Sequence, residues 1–304
     1  MSLSKTVLAA ASIWALAGAA NAACELKSIN VPSDGVVIRY DPFDQDETRV
    51  EVPIRLRADD CRDARFELAI SPLVNSQGPG QTLRASDGSR TIDVRLLSQG
   101  GEARVVNNPI NAFNSPAPAG RVTGAGTVSG QPLRVALTYG QVVAPGRYRA
   151  EATLFARVID GDGRAGQPVE TRFYVDVDVQ PSFRLAAGVD RRLFLGELAE
   201  GVQSDPVNFN AFSNIGYDLS VRSYHDWRMT LNGSLRDEAP GVPYEVTLSG
   251  QTVSRSSSDA VVRFATPPQD GVRNHRLRAK ALAFSPQPAG TYRDWITIEI
   301  KPRA

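Results

Sequence analysis

Two histidines, His225 and His275, stand in a chain of 304 residues. Acid–base chemistry near neutral pH therefore has few places to reside. His225 lies in Ser223-Tyr-His-Asp-Trp, which brings Ser, His and Asp together in sequence. Adjacent residues on a strand point to opposite faces, so these three cannot form a relay among themselves. His225 is expected to be a surface or turn residue, and His275, between Asn274 and Arg276, a loop residue. No phosphate-cradling glycine motif stands between a strand and a helix, and there is no His-x-x-x-His pair. Asp160-Gly-Asp-Gly has the oxygen spacing of a calcium loop. It lacks the later bidentate Glu and falls where a hairpin turn is needed. Asn232-Gly-Ser fits a glycosylation acceptor and equally an ordinary turn. No catalytic, cofactor-binding or metal-ligating set is assigned, no cofactor is expected, and the chain does not read as an enzyme.

The cysteines carry more. Residues 1–22 place Lys5 ahead of an apolar stretch and end in Ala20-Asn21-Ala22. That is the form of a secretory signal peptide, too short for a membrane span. A lipoprotein signal is weaker, because the residues before Cys24 lack the expected Leu. Export leads to an oxidising compartment, and the mature chain has two cysteines, Cys24 and Cys61. A disulfide between them is the default, with two free buried thiols as the alternative. It would close a loop of about 38 residues and contribute about 4 kcal/mol on the chain-entropy model. Lys plus Arg is 34 and Asp plus Glu is 33, and loss of Lys5 with the signal balances the charge. No basic stretch points to nucleic acid, and no later segment is long and apolar enough to cross a membrane.

The elements that must position these residues read as short alternating runs. Examples are 50–56, 65–70, 91–96, 133–139, 148–158 and 171–179. Turn signals such as Asp87-Gly88, Gly100-Gly101 and Asp160-Gly161 divide them, and no amphipathic helix exceeds two turns. This is all-β grammar. After Gln180-Pro181-Ser182 the grammar restarts, with runs at 189–195, 207–212, 217–222, 244–248, 260–264 and 277–284. The expected organisation is a signal peptide over 1–22, one antiparallel sandwich over 23–180 and a second over 181–304. The halves echo each other: Leu133-Arg-Val-Ala-Leu-Thr-Tyr-Gly then Pro145-Gly-Arg-Tyr, and Pro243-Tyr-Glu-Val-Thr-Leu-Ser-Gly then Ala289-Gly-Thr-Tyr.

The echo exposes a difference. In the first half the Gly-x-Tyr strand is followed by another alternating strand, with Phe173, Val175, Val177 and Val179 on one face. In the second half the Gly-x-Tyr strand is the last one, with Tyr292, Ile296, Ile298 and Ile300 on one face and Arg293, Trp295, Thr297 and Glu299 on the other. The second sandwich is expected to lack its final strand. An open slot exposes backbone donors and acceptors and a strip of core side chains. A strand from another chain would fill it, over Tyr292, Ile296, Ile298 and Ile300. The alternative is that an earlier strand of the second sandwich closes the sheet.

Four motifs carry a resemblance: Phe194-Leu-Gly-Glu-Leu, Phe212-Ser-Asn-Ile-Gly-Tyr-Asp-Leu, Val242-Pro-Tyr-Glu-Val-Thr-Leu-Ser-Gly and Pro288-Ala-Gly-Thr-Tyr-Arg-Asp. Over roughly residues 190–301 the sequence resembles the spore coat protein U domain, the pilin domain of archaic chaperone–usher pili. In the first half, Cys24, Tyr40-Asp-Pro and Cys61 resemble the family's N-terminal cysteine pair and Tyr-Asp-Pro turn, less strongly. The resemblance implies immunoglobulin-like pilin folds lacking the last strand. A periplasmic chaperone supplies that strand first, and the N-terminal extension of the next subunit replaces it. The second half departs from the family in having no cysteine pair.

With cleavage after Ala22, one residue precedes Cys24, so the chain is expected to receive a strand and have none to give. That places it at the pilus tip, exported through the periplasm and extracellular. Its expected partners are a periplasmic pilus chaperone, an outer-membrane usher, an adjacent pilin subunit and an unknown surface or receptor. A secreted structural coat protein of the same family, or a periplasmic chaperone, are the competing readings. The turn-rich stretch 107–120 is the expected surface-binding loop, at the end of the first sandwich away from the second and not paired into a sheet. Ile110, Phe113, Pro116 and Pro118 stand in it, as an exposed apolar finger or as a plug folded back onto the sandwich.

Overall fold

The structure is a computed structural model. It describes residues 24–303 apart from 60, 62–63, 80–81, 99–100, 103–112, 114–116, 123–125, 130–132, 187–190, 235–239 and 254–259. The signal-like segment lies outside the described residues.

The first half runs β1 (Glu25–Asn30), β2 (Val36–Tyr40), β3 (Thr48–Val52), β4 (Arg55–Asp59), β5 (Ala64–Pro72), β6 (Thr82–Ser86), β7 (Thr91–Ser98), β8 (Gly101–Glu102), β9 (Ala117–Val122), β10 (Gly126–Ser129), β11 (Leu133–Leu137), β12 (Gly146–Ile159) and β13 (Val169–Val179). The second half runs β14 (Phe183–Leu185), β15 (Val207–Ser213), β16 (Tyr217–Ser223), β17 (Arg228–Leu231), β18 (Gly241–Leu248), β19 (Gln251–Val253), β20 (Ala260–Phe264), β21 (Val272–Ala281), β22 (Tyr292–Arg293) and β23 (Ile296–Pro302). The fold is all-β, as the alternation predicts, and its buried residues form two main clusters. One draws on residues from Leu26 to Val179 and the other on Ala211 to Ala279.

In the first half β1, β4 and β10 form one sheet, and the larger one runs β2-β13-β12-β6-β7-β11-β3, with β5 beside β12. The expected single strand over 50–56 is two. Pro53 cannot donate to a ladder, and the chain leaves β3 there for β4 in the opposite sheet. Cys24 and Cys61 are disulfide-bonded across the β1–β4 pair. Asp160 serves the β12–β13 turn: its Oδ1 accepts from the backbone N–H groups of Asp162 at 3.0 Å and Arg164 at 2.7 Å.

The second half packs the sheet β14-β15-β21-β18-β17-β22 against the three strands β20-β16-β23. Asn214, buried in the turn after β15, ties it to the first half. Its backbone N–H and Oδ1 pair with Ser182, while its Nδ2 donates to the carbonyls of Val143 at 3.2 Å and Gln180 at 3.0 Å. The Tyr40-Asp-Pro turn presents Phe43 to the same joint. Phe43 meets Phe212 edge to face at 5.9 Å, and the Arg184 guanidinium lies over both rings.

Candidate functional site

The two halves share a tyrosine corner. Tyr148 Oη donates to the Ala144 carbonyl at 2.7 Å and Tyr292 Oη to the Pro288 carbonyl at 2.8 Å, each four residues upstream. In immunoglobulin-like sandwiches such a tyrosine marks the start of the penultimate strand. The corner aligns β12 with β22 and β23, so the two sandwiches can be compared strand by strand beyond it.

In the first half the next strand is β13. It pairs antiparallel with β12 from Gly146↔Val179 to Ala156↔Val169, and parallel with β2. Phe173, Val175, Val177 and Val179 point inward and are at most 2% exposed. With β13 between β2 and β12, neither neighbour has a free edge there.

In the second half β23 pairs antiparallel with β16, from Tyr217↔Pro302 to Ser223↔Ile296, and among the described residues nothing pairs with its other edge. The alternation fixes which groups face the open side. Trp295 accepts from Tyr224 N–H at 2.9 Å, and Arg303 N–H donates to the Gly216 carbonyl at 3.0 Å. The odd-numbered residues of β23 thus direct their backbone to β16. The N–H and C=O groups of Ile296, Ile298 and Ile300 face outward, followed by Pro302, which has no N–H. The side chains of the three isoleucines lie half-buried on the second core, against which Leu185, Leu193 and Leu195 also pack. The expected strand at 189–195 is, over 191–195, chain outside every sheet, with Leu193 and Leu195 half-buried and Phe194 79% exposed between them. The site is a slot with one strand edge, an apolar floor and no occupant among the described residues.

The expected continuous strand through Tyr292 is broken. β22 pairs with β17 in the larger sheet, Leu231 opposite Tyr292, and the chain crosses to the other sheet before Ile296. Tyr292 therefore stands apart from the slot, and its hydroxyl serves the corner. Asp294 holds the crossing. Its carboxylate, 3% exposed, accepts from Ser223 Oγ at 2.5 Å, His225 N–H at 3.0 Å and Trp295 N–H at 2.7 Å, and also from the Tyr244 hydroxyl. Burial first, then the adjacent Asp294 charge, pushes the Tyr244 hydroxyl far above its usual value. His225 stands in the turn between β16 and β17, one of the two expected placements, but its side chain is 8% exposed rather than on the surface, with Nδ1 3.0 Å from Asp294 Oδ1. Ser223 is wired to the carboxylate and receives Trp227 N–H at 2.6 Å, so it is not hydrogen-bonded to the imidazole that would activate it.

His275 is also corrected. It lies within β21, fully buried, with Nε2 2.7 Å from Tyr217 Oη and Nδ1 2.9 Å from Ser249 Oγ. Phe264 packs on its ring at 4.7 Å and Phe209 at 5.3 Å. Burial, then the Arg273 charge, brings its pKa down to about 4.

Of the expected surface-binding loop, Ile110 and Pro116 lie outside the described residues. Phe113 is half-buried against Ala69 and Phe155, with the Arg157 guanidinium 4.3 Å above its ring. Pro118 stands in β9, opposite Glu67 of β5. The stretch 107–120 is thus partly in a sheet, because its C-terminal end finds the outer edge of β5.

No family model matches the chain, and no curated protein matches it. Among solved structures, it is similar to a chain of the CsuC–CsuE chaperone–tip adhesion subunit pre-assembly complex from the archaic Csu pili of Acinetobacter baumannii, at 14% identity and a TM-score of 0.47, over 92% of this chain and 100% of that one. It is similar to the CupB6 tip adhesin of Pseudomonas aeruginosa at 13% identity and a TM-score of 0.36, over 91% and 92%. A third similar structure is the CfaE adhesin of CFA/I enterotoxigenic E. coli, at 13% identity and a TM-score of 0.32, over 88% and 92%.

Proposed function

We propose that this chain is the tip subunit of a chaperone–usher pilus. Its second sandwich accepts a strand from a periplasmic chaperone and then from an adjacent pilin, handed over at an outer-membrane usher. Its first sandwich, complete through β13, contacts a surface through its distal loops. The observation that carries this reading is the free edge of β23 above three half-buried isoleucines, at the place where β13 closes the first half. An open edge over an apolar strip invites strand addition, and backbone pairing plus inward side chains give it affinity. The motif resemblance to the spore coat protein U domain supports the same assignment. The test uses the full mature chain and a synthetic peptide of alternating threonine and valine. Peptide binding should raise the unfolding temperature of the second sandwich and leave the first unchanged. A chain whose unfolding no such peptide alters at saturating concentration contradicts the proposal. For the surface contact, an Ile110→Ser, Phe113→Ser chain should assemble into pili that adhere poorly, and failure to assemble would mark these residues as packing residues instead, as the half-burial of Phe113 against Ala69 and Phe155 would then explain. Undiminished adhesion would remove these loops from the contact.

A further inference from the structure

Along β12, Ala152, Leu154, Ala156 and Val158 enter the first core, so Thr153, Phe155 and Arg157 face outward. A phenylalanine on a bare outer face would be exposed. Phe155 is only 9% exposed, and Ala69, directly opposite it on β5, is 2% exposed. The next rung of the same strand pair is ionic. Arg157 stands opposite Glu67, and its Nε donates to Glu67 Oε2 at 2.9 Å.

Phe113 engages both rungs. Its ring packs on Ala69 and Phe155, and the Arg157 guanidinium lies 4.3 Å from the ring centre. The same guanidinium donates to the Phe113 carbonyl at 3.4 Å. A planar guanidinium can lay its face on a ring while its edge donates to a carboxylate and a carbonyl, which a lysine ammonium cannot do. The Glu67 side chain is 9% exposed, so the clamp is itself held in place. This seat lies on the flank of the sandwich. β12 leaves the linker end at Gly146, opposite Val179, and reaches the far end at Ile159. Phe155 stands four residues short of Ile159, about 13 Å at the rise of a strand. Beyond the seat the chain enters β9, which runs outward along β5 from Ala117, opposite Leu68, to Val122, opposite Ala64.

We infer that Phe113 is the anchor of the stretch 107–120 rather than its contact with a surface, and that Arg157 is the positioning residue that clamps it. The inference rests on the reading that the first sandwich meets a surface through this stretch. The apolar surface of Phe113 is committed to the sandwich's own flank, short of the far end. What the clamp fixes is the point at which the chain returns to the β5 edge as β9. Arg157 thus acts on the surface contact through Phe113, and Glu67 acts through Arg157.

The test uses the full mature chain and pili assembled with it. The Arg157 Nε–H should give a resolved NMR signal, shifted by the Phe113 ring current and slow to exchange. Phe113→Tyr keeps the ring and should keep that signature. Phe113→Leu keeps only the apolar fill, so it should remove the shift and speed exchange about fivefold. Pili carrying Arg157→Lys should hold polystyrene beads about fivefold less well, and adding Phe113→Leu should lower this no further, because both changes act through one clamp. If Phe113→Leu does not fold, Arg157→Lys, which leaves the apolar rung intact, carries the adhesion comparison alone. Full adhesion by Arg157→Lys pili, additive losses in the double variant, or an Arg157 signal indifferent to Phe113→Leu would overturn the anchor. Unmodified pili that do not hold the beads would count against the surface reading, and the NMR comparison then decides the anchor by itself.

Discussion

Two buried polar residues organise the second sandwich. Asp294 gathers donors from Ser223, His225, Tyr244 and Trp295 at the one point where the chain changes sheets. The sequence shows Ser, His and Asp side by side in 223–226, yet the carboxylate that matters arrives from Asp294, far along the chain. That partner is invisible to local reading. His275 was equally hidden, since its polar neighbours Asn274 and Arg276 suggest a loop while the strand period turns only the histidine inward. Its folded pKa of about 4 lies below the ordinary 6.5. The unfolded chain therefore binds the proton first, and the stability gained from the neutral imidazole is full above about 6.5 and is lost as pH falls toward 4. Denaturant unfolding of the second sandwich across this window should show declining stability. His275→Gln should flatten that slope, and an unchanged slope would assign the acid sensitivity elsewhere.

At the level of elements, most strands follow from alternation and turn residues, and β13, β16 and β20 lie where the pattern puts them. Two of the misreadings share one cause: period alone does not say when a strand changes sheet. Pro53 divides β3 from β4, and the Asp294 crossing divides β22 from β23. The slot was legible because it is a difference between two similar halves, while its true length was not. Ile298→Asp should weaken peptide capture about a hundredfold or more, since a bound strand would bury an unpaired carboxylate. Titration by anisotropy measures this, and undiminished binding would place the peptide away from β23.

Across the whole molecule, the disulfide and the slot act on different cores. Cys24 and Cys61 join the first core, whereas the second has no cysteine and relies on packing. Replacing both with alanine should lower first-sandwich stability by about 4 kcal/mol, measured by chemical denaturation, and leave peptide affinity unchanged. A parallel loss of peptide affinity would show that the cores are coupled. The joint between them is close-packed: at Gly271, φ +71°, a β-carbon would stand 2.7 Å from Val142 Cγ2.

Residue-resolved hydrogen exchange on the full mature chain tests the open edge most directly. Without a partner strand, the amides of Thr297, Glu299 and Lys301 face β16 and should be protected, while those of Ile296, Ile298 and Ile300 should exchange freely. Adding a strand-forming peptide should protect the second set and leave the first unchanged. Protection of all six amides in the isolated chain, or no change on adding peptide, would contradict the open slot.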